Sequence, residues 1–396
     1  NLFGTKDHIS FYGAIPGTKV IAYDDHLQKL VFADVSGWSI HKDREVWAVD
    51  LSNKKQIISD DDERAVYGLL PNSLTFARRR PSDAIGMLVP IARDIEDVQN
   101  KGFDVTTVPG IKDSKIFDTI KLTKEVGYVF GALAGDGWVD QSKNTYTGVN
   151  LSGIEKAVTV QYTKFLAHIF KIAPHVGHRV GTTSYGRSEK WSVYSVDFAT
   201  WVAPLIGKGA LNKHLPPFWF NAPREFKLGL FSGLLDTDGS ISVNKSKGKP
   251  QLGANFSSIS LRLIQETQQL LRTLGVNGRV SFAKKTSAGN DSWILTISIV
   301  DLQKIKDELI IAHEGNKLAL QTPVSIGSSS YSKTDMVPIT TAIASAYLKA
   351  VGMPKSATKE HKVLYATTHK AQTASKISRN IALQLLERYP QITVPD

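Results

Sequence analysis

Along residues 127–140 the chain reads GYVFGALAGDGWVD, and along 229–241 it reads GLFSGLLDTDGSI. In both, apolar residues fill a helical run that stops at Asp-Gly and gives way to strand-like residues. Glycine suits a helix C-terminus. Short strands follow, as in GSISVNKS and GANFSSIS. Next come VQYTKFLAHIFKIA in the first region and SLRLIQETQQLLRTLG in the second, whose apolar spacing predicts an amphipathic helix in each. Hairpins close both regions: RVGTTSYGRSEKWSVYSV from Arg179 and RVSFAKKTSAGNDSWILTISI from Arg279. The order α-β-β-α-β-β-α predicts an α+β unit, with helices on one face of an antiparallel sheet and the other face free for a partner.

The two regions keep register. Gly127 and Gly229, Gly131 and Gly233, Leu133 and Leu235, Asp136 and Asp238, Gly137 and Gly239, and Trp191 and Trp293 all stand 102 positions apart. GHRV at 177–180 answers NGRV at 277–280, and the Asn-Lys pair at Lys213 answers the one at Lys317. A unit of about 100 residues is repeated. Gly127, Gly131 and Gly135 lie on one helical stripe, as do Gly229 and Gly233. Interior glycine costs about 1 kcal/mol per site, so the stripe predicts close approach of another helix backbone. Two equivalent helices packed about a pseudo-twofold axis would bring Asp136 and Asp238 together at their ends.

Neighbouring carboxylates repel unless a cation lies between them. The expected cation is Mg²⁺, with Mn²⁺ or Ca²⁺ able to take its place in binding. Its expected site comprises Asp136, Asp238 and the preceding residues Gly135 and Thr237, completed by water and phosphate oxygens. Such an ion beside a phosphodiester supports hydrolysis. The plainer alternative is that Asp-Gly only caps two helices; the repetition in register with the glycine stripe favours the site.

Charge points the same way. Lys and Arg outnumber Asp and Glu by 48 to 37, a net +11 that suits a polyanion such as nucleic acid. The absence of cysteine excludes disulfides, thiolate metal sites and cysteine nucleophiles. No apolar run is long enough to span a bilayer and no signal-peptide pattern opens the chain, so an intracellular protein without a membrane partner is expected.

FSGLLDTDG resembles the LAGLIDADG signature nearly letter for letter, and FGALAGDG is similar to its shorter intein-type variant. The resemblance is to LAGLIDADG homing endonucleases of the single-chain, two-repeat type, and spans roughly 122–323. It implies two tandem αββαββα repeats whose sheets form a pseudo-twofold saddle over double-stranded DNA. It also implies a monomer making a metal-dependent double-strand break at a long target. Asp136 and Asp238 would then be the metal-binding catalytic acids, and Asp236 a structural residue. Lys213 and Lys317 would be the late lysines near the scissile phosphates. The hairpins would contact DNA through Arg179, Arg187, Lys190, Lys245, Lys247, Arg279, Lys284 and Lys285, while Trp191 and Trp293 anchor the core. A maturase or regulator that binds nucleic acid without cutting it is the alternative on the same fold.

The flanks add a second resemblance. AIPGTKV and the β-rich stretch after it are similar to the opening of an intein splicing (Hint) domain, with Ala14 where the nucleophile belongs. No terminal His-Asn is present, so this chain is not expected to splice; a splicing element with a passenger endonuclease is the related alternative. The Arg78–Arg80 run is a candidate phosphate clamp or a solvated loop. VPITTAIASAYLKAVG and TASKISRNIALQLLERYP predict helices. The expected organisation is a β-rich Hint-like region over 1–118, repeats over 119–222 and 223–325, and a helical extension over 326–396.

Overall fold

A computed structural model describes residues 2–6, 9–13, 19–24, 29–41, 45–51, 56–59, 65–70, 73, 75–90, 107–109, 119–153, 155–178, 189–246, 249–286, 289–323, 336–353 and 358–392. The chain divides into two units, one of residues 1–92 with 327–396, the other of 93–326.

In the first unit the N-terminal part is made of antiparallel strands. β1 (Leu2–Lys6), β2 (Ile9–Gly13) and β5 (Gly37–His41) form a three-stranded sheet. β3 (Lys19–Asp24) pairs with β4 (Lys29–Asp34), β6 (Trp47–Asp50) with β7 (Gln56–Ser59), and β8 (Val66–Leu69) with β9 (Phe76–Arg79). Ala14 lies outside the described residues.

The 93–326 unit opens with the pair β10 (Thr107–Pro109) and β11 (Thr119–Lys121). α1 (Lys124–Asp136) follows, started by the Thr123 hydroxyl, which accepts from the Val126 N–H. Then come β12 (Gly137–Ser142), β13 (Thr145–Gly153), α2 (Lys156–Phe170), β14 (His175–His178), β15 (Glu189–Val193) and α3 (Val196–Ile206). The succession recurs as α4 (Arg224–Thr237), β16 (Gly239–Ser246), β17 (Lys249–Ser258), α5 (Leu261–Thr273), β18 (Gly278–Lys285), β19 (Asp291–Ser298) and the short α6 (Ile299–Leu302). α7 (Glu314–Gln321) ends the unit's described helices. The two sheets share one strand order, β12-β13-β15-β14 and β16-β17-β19-β18.

α1 and α4 are buried almost all round because each packs on the other. A Cβ at Gly127 or Gly131 would collide with the carbonyl oxygens of Phe226 and Leu230; one at Gly229 or Gly233 would collide with those of Lys124 and Tyr128. Glycine therefore lets the two backbones touch along the whole seam. A single core surrounds them, drawing Tyr162, Leu166 and Phe170 from α2, Leu263, Ile264 and Leu271 from α5, and Val149, Leu151, Phe256 and Leu295 from the sheets.

The rest of the first unit holds β20 (Met336–Pro338), α8 (Thr341–Val351), α9 (Lys359–Ala374), β21 (Lys376–Ser378) and α10 (Arg379–Arg388). Ile343, Tyr347, Leu364, Ala371, Ile381 and Leu385 give it a core of its own. Among the described residues no helix is long and apolar enough to cross a membrane.

Candidate active site

Asp136 is the last residue of α1, and Asp238 caps α4, its N–H bonded to the Leu234 carbonyl at 3.1 Å. The seam sets them face to face. Gly135 leaves room for Thr237, whose hydroxyl turns back to the Gly233 and Leu234 carbonyls at 2.9 and 3.3 Å. The carboxyl groups of Asp136 and Asp238 interact directly, and ionisation of both together is disfavoured. Burial and the charge of Asp136 push Asp238 up to about 7, against the pull of Lys213. Burial also raises Asp136, and Lys213 opposes that shift.

Lys213 is buried, at 8% exposure. Its ammonium donates to the Leu133 carbonyl at 3.2 Å and to the Gly135 carbonyl, both at the C-terminal end of α1. A cation is favoured there because the last carbonyls of a helix carry its negative end. Burial draws Lys213 down to about 8 although both acids work to raise it. Its backbone is tied to the other half of the unit. Ser260 Oγ donates to the Lys213 carbonyl at 2.6 Å, and the Leu215 N–H donates to Glu266 Oε2 at 2.7 Å.

Lys317 is exposed on α7, whereas Asn316 beside it is buried. Asn316 Nδ2 donates to the Leu235 carbonyl at 3.0 Å, and its Oδ1 accepts from the Ile241 N–H at 2.7 Å. Leu235 stands 102 positions after Leu133, so Asn316 makes at α4 the bond that Lys213 makes at α1. Asp236 turns away from the pair. It accepts from the Tyr128 hydroxyl at 2.7 Å and from the N–H groups of Ala312 and His313 at 2.7 and 3.2 Å. Burial pushes the Tyr128 phenol far up, helped by Asp236.

Of the predicted DNA contacts, Arg279 and Lys284 are exposed on β18, and Lys285 pairs with Asp291 at 3.0 Å. Lys245 lies on β16. Arg179, Arg187 and Lys247 lie outside the described residues. Lys190 sits 5.2 Å from the centre of the Trp138 ring and 3.7 Å from Asp140 Oδ2, and Trp138 Nε1 donates to Asp140 Oδ1 at 3.0 Å. Trp138 and Asp140 escaped the sequence reading. Their signal is the alternation on β12, where buried Val139 separates two residues of the opposite face. In the same row of the sheet Trp138 pairs with Asn150 and Asn150 with Ser192; the matching row of the other sheet is Ser240, Asn255 and Thr296. Trp293 packs against the core and meets Phe282 edge-on.

Residues 225–310 match the family model of the LAGLIDADG-like domain. The ATP-dependent DNA helicase Hel308 of Thermococcus kodakarensis is 24% identical over 243 residues, covering 61% of this chain and 20% of the helicase. The DNA-directed RNA polymerase subunit Rpo1C of Methanocaldococcus jannaschii is 24% identical over 246 residues, 62% of this chain and 26% of the subunit. The chain thus spans about a fifth to a quarter of these relatives. Among solved structures, mesophilic variants of the homing endonuclease I-DmoI align over 50% of this chain and 97% of theirs, with 15% identity and a TM-score of 0.37. The N-terminal LAGLIDADG domain of DUF199/WhiA aligns over 52% and 86%, with 8% identity and a TM-score of 0.34.

Proposed function

We propose that the protein is a site-specific endonuclease of the homing type that cuts both strands of a long duplex DNA target with a divalent cation, working as a monomer of two matched halves. One observation carries this reading: Asp136 and Asp238 meet beside Lys213 at the ends of two glycine-packed helices. The LAGLIDADG-like match over 225–310 supports it, as does the net charge of +11.

The residues fit a hard cation. Two neighbouring carboxylates, which repel when both are ionised, are natural oxygen donors for one. Among the described residues no group of three or more His, Cys, Asp or Glu gathers to hold a metal. Asp136 and Asp238 would therefore hold the ion, and water and phosphate oxygens would complete its shell, a habit of Mg²⁺. The Gly135 carbonyl already accepts from Lys213, so its part as a ligand would require that bond to open. When bound, the cation supplies Lewis-acid stabilisation of charge on the phosphate.

Hydrolysis forms a bond from a water oxygen to phosphorus and breaks one phosphate ester bond; the departing sugar oxygen takes up a proton. An ionised Asp136 carboxylate would receive the proton lost by the water. Lys213 Nζ would stabilise the phosphate oxygens that gain charge, and its pKa of about 8 lets it release a proton near neutral pH. The exposed cations of β18 would hold phosphates away from the cut.

The test is selection of cleaved sites from a randomised plasmid library with Mg²⁺, followed by Asp238→Asn. The variant should bind the selected duplex and fail to cut it; cutting at the wild-type rate would reject the assignment. Preference for structured RNA over duplex DNA would move the function to a maturase or regulator. Residues 1–118 we read as a splicing-type segment lacking a nucleophile at Ala14, supported by its run of antiparallel strand pairs. With cysteine placed at 14 and a C-terminal splicing segment ending in His-Asn supplied, ligated product is expected, and its absence counts against that reading.

A further inference from the structure

Successive residues of β12 face opposite ways. Val139 belongs to the core with Val149 and Val193 of the neighbouring strands, so Trp138 and Asp140 stand on the face turned away from it. Lys190 of β15 joins them across the sheet. Its ammonium is 3.7 Å from Asp140 Oδ2 and 5.2 Å from the centre of the Trp138 ring, and Trp138 Nε1 donates to Asp140 Oδ1 at 3.0 Å. The fold does not require this cluster. In the matching rows of the other sheet, Ser240 and Ser242 of β16 replace Trp138 and Asp140, and Ile294 of β19 replaces Lys190. Stability does not account for it either. The Asp140 side chain is 41% exposed, and an ion pair so open to water adds little.

An acid on a sheet face that meets DNA has one useful partner. A carboxylate repels phosphate and gains only from a base edge that donates. In the major groove cytosine presents the N4 amino donor, and its guanine presents the O6 and N7 acceptors. N4 and O6 are hydrogen-bonded to each other, about 2.9 Å apart. Asp140 Oδ2 and Lys190 Nζ, 3.7 Å apart, offer an acceptor and a donor at a comparable spacing. We infer that Asp140 and Lys190 together read one C·G base pair of the target, Asp140 accepting from cytosine N4 and Lys190 donating to guanine O6 and N7. Trp138 is a positioning residue: its Nε1 holds the carboxylate and its ring carries the ammonium. An A·T pair in the same place also offers a donor and an acceptor, but sets the thymine methyl where guanine has N7. The reversed pairs put an acceptor against the carboxylate. With Ser242 and Ile294 at the matching positions, the preference belongs to one half of the target alone. This rests on the endonuclease reading above.

The experiment selects cleaved sites from a randomised plasmid library with Mg²⁺, using the wild-type protein, Asp140→Ala, Asp140→Asn and Lys190→Ala, and compares base preference position by position. One position of the wild-type profile should favour C·G over every other pair by about tenfold or more, the discrimination of a good two-bond contact. Asp140→Ala and Lys190→Ala should flatten that position and spare the others. Asp140→Asn should move it towards A·T, since a carboxamide pairs with adenine N6 and N7. Fluorescence anisotropy with a duplex of unrelated sequence adds a readout of opposite sign. Asp140→Ala should bind that duplex more tightly than the wild-type protein, having lost a charge that repels phosphate, and Lys190→Ala more weakly. Profiles unchanged at every position, or weakened equally at all of them as a structural lesion would do, overturn the inference and leave the endonuclease reading standing. If Asp140→Ala fails to fold, Asp140→Asn, of the same shape, decides. A wild-type profile with no strong C·G position overturns the inference without any variant. A wild-type protein that cuts no duplex in the library overturns the endonuclease reading, and the inference falls with it.

Discussion

Asp136 and Asp238, one from each half of the 93–326 unit, are neighbours at the foot of the seam between α1 and α4, and each acts on the ionisation of the other. That contact ties the stability of the protein to pH. An aspartate in an unfolded chain titrates near about 3.9, whereas folded Asp238 is raised to about 7. The folded protein therefore holds a proton that the unfolded chain has released. The stabilisation is fully present below about pH 4 and is lost as pH rises through 7. Asp136 is raised as well and adds in the same sense. Lys213, at about 8, stays charged through most of this window. In EDTA, the melting temperature should fall between pH 5 and pH 7.5, at roughly 2–4 °C per kcal/mol lost. Asp238→Asn should flatten that profile, as calorimetry would reveal.

The glycine seam sets a steric limit. A methyl group at Gly131 would occupy the space of the Leu230 carbonyl, which is backbone and cannot rotate aside. Gly131→Ala should destabilise the protein by about 1–3 kcal/mol or more, the usual range for overpacking, as measured by urea midpoint. Gly209→Ala is a weaker control, since a Cβ there meets nothing within 4 Å and suffers only from a φ of 76°.

Asp236 should matter more for stability than for metal binding. Its carboxylate takes three donors: the Tyr128 hydroxyl and two N–H groups of the segment leading to α7. Asp236→Ala leaves buried donors unmet, at about 1–3 kcal/mol each; Tyr128→Phe removes one bond and should cost about 1 kcal/mol. The double variant should cost less than the sum, because both singles break the same bond. Denaturant titration of the four proteins checks this.

Lys284 and Lys285 are adjacent but differently placed. Lys284 is exposed on β18, while Lys285 is engaged by Asp291 at 3.0 Å. Lys284→Ala should weaken binding of the selected duplex and reduce the slope of log K against log salt by about 0.9, the value for one phosphate contact. Lys285→Ala should change that slope less, since its charge is already partly neutralised. Fluorescence anisotropy at several salt concentrations separates the two.

Much of the fold was legible along the chain because its causes are local. The apolar runs, the Asp-Gly stops and the strand alternation lie within a few residues of one another, and α1, α4 and the two sheets fall on them. The glycine stripe was legible for a different reason: interior glycine is costly enough to imply a neighbour, and a second stripe named it. The Trp138–Asp140–Lys190 cluster needed the sheet, since Lys190 comes 50 positions after Asp140 and reaches it only through strand pairing.

The sequence by itself determined the two glycine-striped helices and the strands after them, which helix faces meet, and that two aspartates end on the same seam, because periodicity and chain register encode all three. It did not mark α9 (Lys359–Ala374), nor β21 (Lys376–Ser378), which lies within the single helix expected over 373–390. Only the tertiary structure decided what stands beside those aspartates. Two Asn-Lys pairs look alike as text, but at α1 the lysine turns inward and at α4 the asparagine does. That choice is made by long-range hydrogen bonds, from Ser260 and Glu266 onto the Lys213 segment and from Asp236 onto the Asn316 segment. Such bonds turn one or the other of two adjacent side chains inward without leaving any mark in the local pattern.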